Sequence, residues 1–135
     1  MPISTILVYE KKARWRPGLQ REISPELVSI RACGSINDLR TATLEAQQRE
    51  MPCLAILDLS SNLSTALQFL NWTHESTAVV PVILIGSPAH SVLEPTLREL
   101  GASAFHVSPV RRDLLAAECL RLLQLKQQPV ARYAP

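Results

Sequence analysis

Three stretches decide the fold: LAILDLS (Leu54–Ser60), VPVILIGSP (Val80–Pro88) and LRELGASAFHVSPV (Leu97–Val110). The first two carry nearly continuous runs of Ile, Leu and Val of strand length, the pattern of strands buried on both faces of a parallel sheet. In the third, Leu97 and Leu100 lead to Gly101, a helix-ending glycine, before another short apolar run. Working outward, the strands are placed at Ser4–Tyr9, Leu27–Cys33, Cys53–Leu57, Val80–Ile85 and Ala102–Val107.

The segments between these strands read as helices. Ser35 is placed as an N-cap with Asp38 three residues on, and Leu39, Ala42 and Ala46 share one face. Ser64 is placed as the next cap, with Leu63 stapling the start and Leu67 and Leu70 facing inward. The last helix is predicted from about Arg112 to Lys126. Its apolar line is Leu115, Cys119 and Leu122, widened by Leu114, Leu120 and Leu123. Pro17-Gly18 makes the first helix short, starting at Pro17, and Pro95 means that the fourth helix either starts near it or breaks there. Parallel neighbours require crossovers, so a helix after each strand predicts a three-layer α/β fold. The expected architecture is flavodoxin-like, a five-stranded parallel sheet of order 2-1-3-4-5 with helices on both faces. In such sheets function collects at the carboxyl ends of the strands.

Composition narrows the classes. The chain has 135 residues, 47% apolar and 19% charged, which fits one domain with a true core. That domain is placed at residues 4–124, with a tail or linker stump at 125–135. A net charge of +2 gives no reason to expect a nucleic-acid partner, and the basic cluster Lys11–Arg16 is read as a solvated loop with Trp15 lying on the first helix. Cys33, Cys53 and Cys119 are scattered on strands and the last helix and read as packed thiols. They share no metal-ligand spacing with His74, His90 and His106. Ala78–Gly86, the longest strongly apolar stretch, is too short to span a bilayer, and MPISTILVYEKK is no secretory signal. The expectation is a cytoplasmic protein without a membrane contact. There is no GxGxxG, P-loop or GxSxG motif, so no enzyme is expected.

LAILDLS, VPVILIGSP and LRELGASAFHVSPV followed by a Leu-rich helix resemble the receiver (CheY-like) domain of two-component response regulators, over roughly Ser4 to Gln124. The resemblance implies phosphoryl transfer onto a carboxylate at the end of strand 3. It also implies acids after strand 1 holding Mg²⁺, a hydroxyl after strand 4 and a lysine after strand 5. On these positions Asp58 stands as the phospho-acceptor and Glu10 as the first acid. Lys11 stands in place of the second acid, Gly86 in place of the hydroxyl with Ser87 one residue late, and Ser108 in place of the lysine before Pro109.

An ammonium cannot ligate Mg²⁺, and the strand-5 cation is gone. The chain therefore reads as a degenerate, or pseudo-, receiver with no Mg²⁺ or other cofactor. It is expected to signal by protein–protein contact, with a pathway partner and a homodimer through the last helix as the implied assemblies. Lys11 or Lys12 pairs with Asp58 as a built-in cation in one version. In the other, both lysines face solvent and Asp58 caps its turn. Two rivals stand beside this reading. One is an active receiver using Asp58 and Glu10. The other is a STAS-like anti-sigma-antagonist domain, which ILDLSSNLS with Ser60, Ser61 and Ser64 also resembles.

Overall fold

The computed structural model describes residues 2–76 and 78–125. Five parallel strands alternate with helices: β1 (Ser4–Tyr9), α1 (Trp15–Glu22), β2 (Val28–Cys33), α2 (Ile36–Gln48), β3 (Cys53–Asp58), α3 (Leu63–Glu75), β4 (Val82–Gly86), α4 (Glu94–Glu99), β5 (Ala104–Val107) and α5 (Arg112–Leu122). A 3-10 turn, Pro88–Leu93, precedes α4. The strand order is β2-β1-β3-β4-β5, as expected from the sequence.

Alternation along each strand feeds two cores. Ile6, Val8, Leu54, Ile56, Ile83 and Ile85 face α1 and α5, where Trp15, Leu19, Leu115, Ala116, Cys119 and Leu120 meet them. Leu7, Tyr9, Ala55, Leu57 and Leu84 face the other way, against Leu39 and Ala42 of α2, Phe69 and Leu70 of α3, and Leu97 of α4. The central strands β1, β3 and β4 are buried nearly throughout, which is why β3 and β4 read as nearly continuous apolar runs. All three cysteines are buried free thiols. Burial pushes the Cys33 thiol up to about 11 and those of Cys53 and Cys119 up to about 12. They stay protonated at neutral pH and are not nucleophiles.

Several boundaries differ from the sequence reading. β4 starts at Val82, because Pro81 has no N–H for the ladder and contributes only its carbonyl, to Ala55 N at 3.0 Å. β2 starts at Val28, β3 runs on through Asp58, and β5 begins at Ala104. The fourth helix starts at Glu94 with Pro95 in its first turn, the first of the two alternatives. Gly101, at φ +115, turns the chain out of α4. α1 starts at Trp15, two residues before Pro17.

Leu67 and Leu114 are exposed and do not face the core, and α5 ends at Leu122. Lys126 and the rest of the tail lie outside the described residues.

The capping expectation holds for α2 and fails for α3. Ser35 Oγ accepts Asp38 N–H at 3.1 Å, and Asp38 Oδ2 accepts Gly34 N–H at 3.0 Å. In α3 the cap is Asn62, whose Oδ1 accepts Thr65 N–H at 3.2 Å. Ser64 lies inside the first turn and its hydroxyl receives Gln68 Nε2 at 3.2 Å. Asn62→Ala is expected to cost about 1 kcal/mol and Ser64→Ala less than about 0.5 kcal/mol in urea denaturation.

Candidate functional site

The register brings the carboxyl ends of four strands to one edge. Tyr9 pairs with Leu57, Asp58 with Ile85, and Gly86 with Val107. Glu10, Asp58, Gly86 and Ser108 therefore stand at that edge, with the loops they open forming its rim.

Glu10 is turned toward α1. Its Oε1 accepts the backbone N–H of Arg14 at 3.0 Å and of Trp15 at 2.9 Å, and its Oε2 accepts that of Arg16 at 3.0 Å. The N-cap residue of α1, Arg14, supplies no side-chain cap. A carboxylate from the preceding loop thus satisfies the free N–H groups at the helix start and complements its dipole. This is why α1 begins before Pro17.

Asp58 sits half-buried at the end of β3, where its Oδ1 accepts Ser60 N–H at 2.9 Å and its carbonyl accepts Ser61 N–H at 3.1 Å. This is the turn-capping arrangement. Among the described residues no ion pair joins Asp58 to Lys11 or Lys12. The built-in-cation version of the site is therefore corrected. Both lysines are exposed, and Lys11 enters the rim through its backbone, donating N–H to Ser61 Oγ at 2.9 Å.

The end of β4 is closed by His90. Its Nδ1 accepts Ser87 N–H at 3.0 Å and lies 3.1 Å from the Ser87 hydroxyl. A Cβ built on Gly86 would stand 2.8 Å from His90 Cβ and 3.1 Å from its Nδ1. Gly86 therefore lacks a side chain because the imidazole folds over it. At β5, Ser108 Oγ accepts Arg14 Nη2 at 3.1 Å, and the Arg14 guanidinium stacks over the Trp15 ring at 4.5 Å. A positive group thus reaches the end of β5 from the β1–α1 loop at the same edge of the sheet. Behind it, His106 of β5 is hydrogen-bonded through Nε2 to Glu118 of α5, whose other oxygen lies 3.6 Å from Arg121.

Ser61, Arg14 and His90 are the residues that the sequence reading missed. For His90 a signal exists, since Ser87-Pro88-Ala89-His90 has capping-box spacing. For Arg14 the signal is its place in the basic cluster beside an aromatic. Ser61 was noted only as one of several serines.

No family model and no curated protein matches this sequence. Solved structures do. A response regulator receiver protein from Burkholderia phymatum matches with TM-score 0.70 and 19% identity over 94% of this chain and 99% of its own. The receiver domain of the TMAO respiratory system response regulator TorR gives TM-score 0.72 and 20% identity over 90% of this chain and 97% of its own. The chemotaxis response regulator CheY4 of Vibrio cholerae gives 0.66 and 13% over 90% and 98%. The fold is that of receiver domains.

Proposed function

We propose that this chain is a pseudo-receiver, a non-catalytic signalling module that acts through protein–protein contact without the Mg²⁺-dependent phosphoryl cycle. The observation that carries the reading is Glu10. Both of its oxygens are taken by backbone N–H groups of the α1 start. A divalent ion needs several oxygen ligands at short range. Three N–H bonds leave Glu10 one open lone pair, and Lys11 beside it adds a positive charge where a second carboxylate is wanted. Asp58 already holds Ser60 N–H. The residues present do not fit Mg²⁺. Arg14 returns a cation to the end of β5, but it is held by Ser108 and Trp15, with no ion pair to Asp58 among the described residues.

Apolar side chains on the α4–β5–α5 side support a contact function. Val92 of the 3-10 turn and Leu114 of α5 are 79% and 58% exposed, and Leu100 and Val107 are partly so. A pathway protein, or a second copy through α5, would cover them. The basic loop Lys11–Arg16 is built into the rim by Glu10 and Ser108, an arrangement that does not track a nucleic-acid backbone. Among the described residues no helix is long and apolar enough to cross a membrane. We place the module in the cytoplasm.

Millimolar Mg²⁺ with beryllium fluoride, a phosphoryl mimic, is expected to leave the amide NMR spectrum around Asp58 unchanged. Saturable shifts at Glu10, Asp58 and Ser87 that spread into β5 would overturn the reading in favour of an active phospho-acceptor.

A further inference from the structure

We propose that the cleft between α1 and α5 binds a phosphate-bearing small molecule. The cleft has a volume of about 350 Å³ and is lined by Arg14, Trp15, Gly18, Arg21 and Arg112, among others. That volume falls in the range of small-ligand sites. Among the described residues no acidic side chain lines it. Among the described residues no carboxylate pairs with Arg14, Arg21 or Arg112. The neighbouring Arg111 differs: it grips Asp113 at 2.7 and 3.1 Å and holds that carboxyl below its usual range.

A second observation points to a ligand. Trp15 is 5% exposed, and its indole Nε1 is buried with no hydrogen-bond partner. Buried donors are normally satisfied, and the ring that carries this one lines the arginine cleft, so an acceptor bound there would reach the N–H once the ring edge is uncovered. The cleft is also tightly framed. Arg112 packs its stem on Gly18, with Cβ and Cδ 3.6 and 3.7 Å from where a Gly18 Cβ would be. Arg14 is held from both sides by Ser108 and the Trp15 ring.

Three guanidiniums carry three positive charges, whereas a carboxylate brings a single negative charge and two oxygens in one plane. A phosphate group offers three oxygens in different directions and up to two negative charges. A diphosphate offers more of both. Neither Asp58 nor Glu10 lines the cleft, so pyrophosphate binding there is read independently of the response to Mg²⁺ and beryllium fluoride.

Inorganic pyrophosphate is the probe, titrated into ¹⁵N-labelled protein against sodium chloride of matched ionic strength. The Trp15 indole N–H resonance is expected to shift saturably in pyrophosphate and not in chloride. Trp72, the second tryptophan, is the unmoved reference. Arg21→Gln and Arg112→Gln change exposed side chains and should each weaken binding by about tenfold. Trp15→Phe keeps the ring packing, removes the N–H and should also weaken binding. If that variant does not fold, the arginine pair still decides. Absence of a saturable shift, an equal shift in chloride, or unchanged affinity in both arginine variants would overturn the proposal. Tighter binding of a phosphoserine peptide than of pyrophosphate would overturn the small-molecule assignment.

Discussion

Gly86→Thr is expected to cost about 3 kcal/mol of stability, a large fraction of a small domain's total. The substitution places a hydroxyl at the end of β4, where the sequence resemblance implies one, so it tests why this chain lacks it. A Gly86 Cβ would meet His90 Cβ at 2.8 Å, a separation that real structures do not tolerate. Nor can the imidazole swing away freely, because its Nδ1 accepts Ser87 N–H at 3.0 Å and so anchors the Pro88–Leu93 turn. His90→Gly, which removes the Cβ as well as the ring, should alone cost about 2 kcal/mol, a lost cap plus the backbone freedom of glycine. In the double variant the clash is gone, and stability should return to within about 1 kcal/mol of the His90→Gly chain. The two sites should therefore couple by about 2 kcal/mol in a double-mutant cycle followed by urea denaturation. Additive costs would show that His90 does not exclude a side chain at position 86. On the expected result, a hydroxyl cannot be placed at position 86 without a second change at position 90.

The parts of the fold that were legible are those in which one element declares itself by its own residues. Nearly continuous apolar runs gave β3 and β4 because those strands are buried on both faces, and Gly101 marked the end of α4 because only a left-handed residue turns the chain there. Errors arose where two residues of equal propensity competed. Asn62 and Ser64 are both good caps, and the choice between them depends on where α3 enters the sheet layer. Leu114 and Leu115 are adjacent leucines, and only packing against β5 and α1 decides which is buried. At the site, spacing placed Glu10, Asp58, Gly86 and Ser108 at one sheet edge. Their partners were not legible, since Arg14 meets Ser108 across 94 positions and Lys11 meets Ser61 across 50. No local pattern reports such a pairing, so charge alone left two versions open for Asp58, and the rim takes the one in which it caps its turn and the lysines face solvent.

Glu10→Ala should lose about 2 kcal/mol, and the loss should be focused on α1. That helix has eight residues, too few to persist without support. Its first turn contains no acidic residue, and its N-cap makes no side-chain bond, so the three N–H groups held by Glu10 have no alternative acceptor of their own. Bonds to a charged group carry about 1.5–3 kcal/mol, discounted here because the loop is partly open to water. Glu10→Gln keeps one carbonyl oxygen and should retain roughly half the effect, since it can serve Arg14 and Trp15 or Arg16, but not all three. Hydrogen exchange reads this directly. The amides of Arg14, Trp15 and Arg16 should exchange up to about thirtyfold faster in the alanine variant, while those of α3 change less. The same variants separate the two roles open to this carboxylate. A helix cap makes Glu10→Ala destabilising with no effect on Mg²⁺ response. A metal ligand makes it nearly neutral for stability and weakens Mg²⁺ binding. Because Glu10 also fixes where Arg14 and Trp15 stand, fraying of α1 should open the α1–α5 cleft as well, so pyrophosphate binding should fall in Glu10→Ala even though residue 10 does not line it.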